Sequence, residues 1–308
     1  MIDIVVGFFV LGALARLLGS DLRLPTGLYQ SCVMILLLAI GLKGGVALQS
    51  QSFGDILPKA AAVVAFGLVL PFIAFPILHW VGRWPKADAA STAAHYGSVS
   101  VATYAVGVSV LELNGIDYEA YFPLFVALLE VPAILVGIIL AKPTLSGEGA
   151  KKLAHEVFLN QGVLLLIGGI ALGALGGAQT EKVMPLFKGL FHGILALFLL
   201  EMGRQAAEKL KALRYQGAFL TTFAVVMPLI GGALGFALAN ALGLSTGGQF
   251  LLAVLGSSAS YIAVPAAMAV ALPKANGALA ITASLGVTFP FNVLVALPLY
   301  LGISQRLA

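Results

Sequence analysis

The sequence predicts an all-α integral membrane protein of about ten transmembrane helices in a 5+5 inverted repeat, and three observations lead there. First, 60% of the 308 residues are hydrophobic, only 10% are charged, and mean hydropathy is +1.03, whereas a soluble domain carries about 25% charged residues. A bilayer supplies the apolar solvent such a chain needs, and it admits only helices or closed barrels, because unpaired backbone amides in hydrocarbon cost several kcal/mol each. Second, apolar runs such as Val5 to Leu14 and Phe219 to Ala239 lack two-residue alternation, which selects helices over barrel strands. Third, the polar stretch from Pro143 to Glu156 divides the chain into two halves of five spans. An odd number per half forces the halves into opposite orientations if they share a fold.

Taken in order, the spans are expected at 2–18, 26–48, 57–81, 89–111, 119–141, 157–177, 183–203, 215–241, 247–271 and 276–302. The N-terminus runs straight into an apolar stretch without a basic n-region or a small-residue cleavage site, and reads as a retained span. With that terminus outside the cytoplasm, the inner side receives Arg16, Arg23, Arg83, Lys86, Lys142, Lys151, Lys152, Arg204, Lys209, Lys211, Arg214 and Lys274. Lys43, Lys59, Lys182, Lys188 and Arg306 fall outside. This positive-inside bias sends both termini outward and accounts for the net charge of +4 without a nucleic-acid partner. The expected organisation is a first repeat over 1–142, a cytoplasmic linker over 143–156 and a second repeat over 157–308. Features recur about 160 residues apart: Gly97-Ser98-Val99-Ser100 answers Ser257-Ser258-Ala259-Ser260, and Ile40-Gly41-Leu42-Lys43 answers Glu201-Met202-Gly203-Arg204.

The fourth span, AAHYGSVSVATYAVGVSVLEL, crowds glycine and hydroxyl residues into its middle, and the ninth repeats this with GSSASYIAVPAAMAV. Glycine weakens a helix, Ser and Thr hydroxyls compete for backbone bonds, and Pro265 removes a donor. Broken helices facing each other at mid-membrane aim their N-terminal amides at an anion while hydroxyls complete its coordination. The anion-binding candidates are Gly97, Ser98, Ser100 and Thr103 in the fourth span and Ser258, Ala259 and Ser260 in the ninth. The competing explanation is tight packing, for which small residues are the usual means in membranes. Glu130, deep in FVALLEVPAIL, costs about 3 kcal/mol at that depth and calls for a cavity, a cation or a partner. It is a candidate for sodium or proton coupling, with Ser98, Ser258 and Asn292 as neutral oxygens; a hydrogen bond made possible by Pro132 is the structural alternative.

The histidines point less clearly to function. His95 precedes the glycine break, but one imidazole among small residues is more often packed and hydrogen-bonded than a ligand; His79 and His155 read as interfacial and His192 as an interhelical donor. Cys32 is the sole cysteine, so no internal disulfide forms, and no HExxH or other imidazole and carboxylate set suggests a metal other than Na+. No cofactor is expected. The chain lacks GxxxxGK[ST] and GxSxG, and no carboxylate lies within a turn to orient His95, which disfavours an ATP-driven pump and an intramembrane enzyme.

Several segments resemble the sodium-dependent bicarbonate permeases described from cyanobacteria: IGLKGGVAL, GSVSVAT, DYEAYFPLFVALLEVPAILV, PLFKGLFHGILALFLLEMG and SSASYIAVP, in family order over nearly the whole chain. The resemblance implies a core domain from spans three to five and eight to ten, and a gate domain from spans one, two, six and seven. It further implies a homotrimer in the inner membrane and an elevator-like movement carrying bicarbonate with Na+. It points to the same serines, Thr103 and Glu130. Two departures stand out. Cyanobacterial members carry an aspartate where this chain has Tyr261, which puts sodium coupling or its stoichiometry in question, and their central loop is longer, which does the same for a PII-like regulatory partner. The leading expectation is therefore sodium-coupled bicarbonate transport. The alternative is another small anion, such as a carboxylate, driven by a proton held on Glu130; a non-transporting membrane protein stands behind both.

Overall fold

The computed structural model describes residues 4–141 and 147–307, which are mostly helical and contain no strand. The helices of the first half are α1 (Ile4–Leu17), α2 (Thr26–Leu48), α3 (Phe53–Pro76), α4 (Lys86–Gly97), α5 (Val101–Leu113), α6 (Phe122–Leu129) and α7 (Pro132–Ala141). Those of the second half are α8 (Gly147–Phe158), α9 (Gln161–Gly176), α10 (Met184–Gly189), α11 (Phe191–Ala241), α12 (Thr246–Ser257), α13 (Ala263–Ala271), α14 (Gly277–Ile281), α15 (Phe289–Phe291) and α16 (Leu297–Leu307). What is numbered α11 is two helices meeting at Gly217, whose φ of 81° and ψ of 167° are not helical. Glycine adopts that conformation without the Cβ penalty other residues incur.

Among the described residues, six helical stretches are long and apolar enough to cross a membrane: 26–48, 54–81, 86–113, 122–141, 217–241 and 277–307. The remaining expected spans fall short individually for identifiable reasons. The first is only 14 residues long as α1. The sixth, α9, begins at Gln161 and meets the preceding helix at a bend of 50°. The seventh is divided between α10 and the first part of α11, and the ninth is interrupted between Ser257 and Ala263. The expected polar linker is not all loop either: from Gly147 it forms α8, which buries Leu153 and Val157, one turn apart, and leaves Lys151 and Lys152 exposed. The beginning of that linker, residues 143–146, lies outside the described residues.

Glycine sets the closest helix approaches. In the α2 and α9 pair, a Cβ on Gly41 would stand 2.7 Å from Leu166 O, and one on Gly173 would stand 3.0 Å from Gly45 Cα. In the α1 and α11 pair, a Cβ on Gly12 would run into the Leu200 carbonyl, and one on Gly203 into the Phe9 carbonyl. Small residues let backbones touch where lipid provides no hydrophobic drive to association. Elsewhere α4 packs between α3 and α7, while α12 packs on the second part of α11 and on α16.

Proline distorts the last span. The wide π-turns Thr282–Thr288 and Asn292–Ala296 precede Pro290 and Pro298, each of which lacks an N–H and crowds the carbonyl four residues back. Asn292 opens the second of these turns.

Candidate functional site

The fourth span breaks between Gly97 and Val101, and the ninth between Ser257 and Ala263. At the first break Ser98 and Ser100 are extended, with ψ of 171° and 111°. Ser100 begins α5: its Oγ accepts from Thr103 N at 3.2 Å, and its carbonyl accepts from Tyr104 N at 3.0 Å. The Val101 and Ala102 amides are the first-turn donors that this cap leaves over, since a helix cannot satisfy its own first N–H groups.

The two breaks are tied directly to each other. Ser100 N donates to Ser258 Oγ at 3.0 Å, and Ser258 Oγ in turn donates to Leu255 O at 2.8 Å. Ser260 N donates to His95 O at 2.8 Å, and His95 Nδ1 lies 2.6 Å from Ser260 O. This double bond pattern clamps the end of α4 against the extended segment ahead of α13. His95 is thus a buried, hydrogen-bonded side chain, as one imidazole among small residues is expected to be.

A small cavity of about 40 Å³ lies where α5 and α13 begin, lined there by Ser100, Val101, Ala102, Tyr261, Ile262 and Ala263, with Glu130 and Ser260 beside them. Val33, Leu36, Leu37 and Phe198 form an apolar wall opposite. Since roughly 10–15 Å³ on this measure admits one water, the space suits a few heavy atoms. No Lys, Arg or His is among the lining residues and Glu130 is the acidic one, so the positive ends that could face an anion there are those of the helix N-termini.

Of the residues singled out from the sequence, Ser100, Ser260 and Glu130 line the cavity. Ser98, Thr103, Ser258 and Ala259 are buried around the breaks but outside that lining. Gly97 has a packing role: a Cβ there would meet Pro71 and would stand 2.8 Å from Ala133 Cβ. Asn292 is engaged elsewhere, donating from Nδ2 to Ser257 O at 2.8 Å, while its buried Oδ1 has no partner among the described residues. Glu130 sits at the break between α6 and α7 that Pro132 imposes, and Ser98 Oγ lies 3.2 Å from its Oε2 and 3.4 Å from its carbonyl O. Both readings of Glu130, coupling group and structural hydrogen bond, therefore meet at one serine. Glu130 and Asn292, about 160 residues apart, thus each reach the end of the first half of a broken helix. Tyr261, seen in the sequence only as a departure from a family pattern, lines the cavity as well.

A second, larger cavity of about 340 Å³ opens around the far ends of α2 and α5. Lys43 Nζ donates there to Glu112 Oε1 and to Tyr118 Oη, both at 2.7 Å, and His192 Nε2 lies 3.4 Å from Glu112 Oε2. His192 thus faces another helix, as expected, but as a potential ion-pair partner. Burial pushes the Tyr118 hydroxyl above its usual range against the pull of Lys43, so the phenol stays neutral and Glu112 balances the ammonium.

Several apolar helices long enough to cross a membrane, and two broken helices meeting at a small, mostly apolar cavity, are the features of a multi-pass membrane protein. The chain belongs to the Na+-dependent bicarbonate transporter superfamily, whose family model matches residues 4–305. No curated protein matches it.

Proposed function

We propose that the chain is a secondary transporter that carries bicarbonate into the cell together with Na+. The observation that carries this reading is the meeting of two helix N-terminal turns, those of α5 and α13, at one small cavity with no Lys, Arg or His among its lining residues. A small planar monoanion matches such a site: amides and hydroxyls reach its oxygens, and the apolar wall excludes larger acids. Glu130, buried with Ser98 as its hydrogen-bond partner, supplies a carboxylate that a sodium ion neutralises, with Ser98, Ser258 and Asn292 as neutral oxygens near the two breaks.

The movement we propose is elevator-like, with spans three to five and eight to ten sliding as a core against a gate of spans one, two, six and seven. Support comes from the glycine crossings. The α1 and α11 pair meets at Gly12 and Gly203, and the α2 and α9 pair meets at Gly45 and Gly173. An inverted repeat with an offset of about 160 residues exchanges these two pairs. A homotrimer in the bacterial inner membrane with both termini outside completes the reading. A PII-like partner would meet a linker that is short and largely taken up by α8.

A second reading, transport of another small anion coupled to a proton on Glu130, is favoured by one observation: Tyr261 supplies a neutral phenol at the cavity where a further carboxylate would strengthen sodium binding. Initial uptake of labelled bicarbonate into proteoliposomes separates the two. A sodium gradient is expected to accelerate uptake at least about tenfold over a matched potassium gradient, and sodium-indifferent uptake, or none, favours the second reading.

A further inference from the structure

We infer that the phenolic hydroxyl of Tyr261 donates a hydrogen bond to the transported anion and thereby sets which anions the site accepts. This rests on the anion site proposed above and adds to it a residue outside the serine clusters. Tyr261 follows Ser260, whose N and O are both held by His95, so the backbone that presents the ring is fixed on its N-terminal side. The ring is held as well: it meets Phe289 edge to face at 5.6 Å and 71°, and Phe289 meets Phe9 in the same manner at 5.5 Å and 76°.

This rigid support holds a cavity-lining residue whose buried hydroxyl lies near the side chain of Ser100, another lining residue. The Tyr261 oxygen is buried, and although Ser100 is near, no well-formed hydrogen bond is completed. Leaving a buried donor unmade is unfavourable, and most buried polar groups in folded proteins have a partner. Other buried hydroxyls also lack one, Thr92 and Ser109 among them, but neither lines this cavity. Ser100 Oγ already accepts from Thr103 N, so its own proton is free to point the same way as that of Tyr261. The donors such an anion would meet are then the first-turn N–H groups of the lining residues Val101, Ala102 and Ala263, which have no partner within their own helices, and two hydroxyls. That set suits an oxyanion with two or three acceptor oxygens better than a spherical halide, which offers its acceptors no direction.

The test is Tyr261→Phe, which keeps the ring and its packing and removes only the oxygen. In proteoliposomes the KM for bicarbonate is expected to rise about 10- to 100-fold, the range for a hydrogen bond to a charged group. The maximal rate and the sodium concentration for half-maximal stimulation are expected to stay within about twofold, a split that a merely structural role would not produce. Chloride, added as a competitor, is expected to inhibit the variant more effectively relative to bicarbonate than it inhibits the wild type. As a second measurement, 3-fluorotyrosine at 261 retains ring and hydroxyl while making the phenol a stronger donor, and KM is expected to fall. A wild type that transports bicarbonate, with KM unchanged in both variants, overturns the role of Tyr261 and leaves the proposed function standing. A wild type that carries no bicarbonate overturns the proposed function instead.

Discussion

Ser100→Ala is expected to lower bicarbonate uptake by about 10- to 100-fold while the protein still inserts and folds. Ser100 has separable tasks. Its Oγ caps α5 by accepting from Thr103 N, its backbone N donates to Ser258 Oγ, and, as a residue lining the cavity, it has a hydroxyl to offer the proposed anion. The alanine keeps the backbone bond and loses the other two. Loss of the cap costs about 0.5–2 kcal/mol and appears as a lower melting temperature. Loss of a donor to a bound anion costs about 1.5–3 kcal/mol and appears in uptake, which gives the stated range. Ser100→Thr restores the hydroxyl and is expected to recover most of both. Uptake rates normalised to inserted protein, read beside thermal melting in detergent, separate the effects. Normal transport by the alanine variant would remove Ser100 from the site.

Glu130→Gln is the second large effect: uptake at least about tenfold slower, and no longer faster in sodium than in potassium. The carboxylate is buried at a helix break, and Ser98 is the side chain hydrogen-bonded to it. At such depth an ionised acid needs a cation, because hydrocarbon does not solvate it. Glutamine has nearly the same shape and keeps an oxygen for the Ser98 hydroxyl, so the fold is expected to survive and only the charge to be lost. If Glu130 carries a proton instead, wild-type uptake is already indifferent to sodium and the variant loses its pH dependence. If Glu130 is structural, the glutamine variant transports with its sodium stimulation intact. Uptake under imposed sodium, potassium and pH gradients distinguishes the three outcomes.

How much of this was legible in the sequence depended on whether the cause was local. The breaks at Ser98–Ser100 and after Ser257 are, because glycine, serine and proline weaken a helix wherever it goes. The break at Glu130 is as well, since Pro132 announces it. Span count was less legible, because hydropathy does not reveal where an apolar run divides, as at α10 and α11 or at α12 and α13. The helix within the linker was not legible either: α8 is short and polar, and its apolar stripe rests on little more than Leu153 and Val157.

The site's long-range closure was not legible at all. His95 and Ser260 are 165 residues apart and Ser98 and Glu130 are 32 apart, and no local pattern ties either pair. Nor does spacing distinguish Ser100, which lines the cavity, from Ser258, whose hydroxyl is occupied in holding the two breaks together. Tyr261 stood out only as a departure from a family pattern, and its place in the cavity lining was hidden for the same reason. An aromatic residue in an apolar span reads as packing until the fold places it in the lining of a cavity with its buried hydroxyl unpartnered among the described residues.

The central claim is that an anion sits between the first turns of α5 and α13. An experimental density map of the protein in sodium bicarbonate tests it most directly. The expected result is a compact peak within hydrogen-bonding distance of the Val101, Ala102 and Ala263 amides and the Ser100 hydroxyl, absent when the anion is replaced by a bulky one. A peak confined to the larger cavity at Lys43 and His192, with the space at Ser100 filled by side chains, would contradict it.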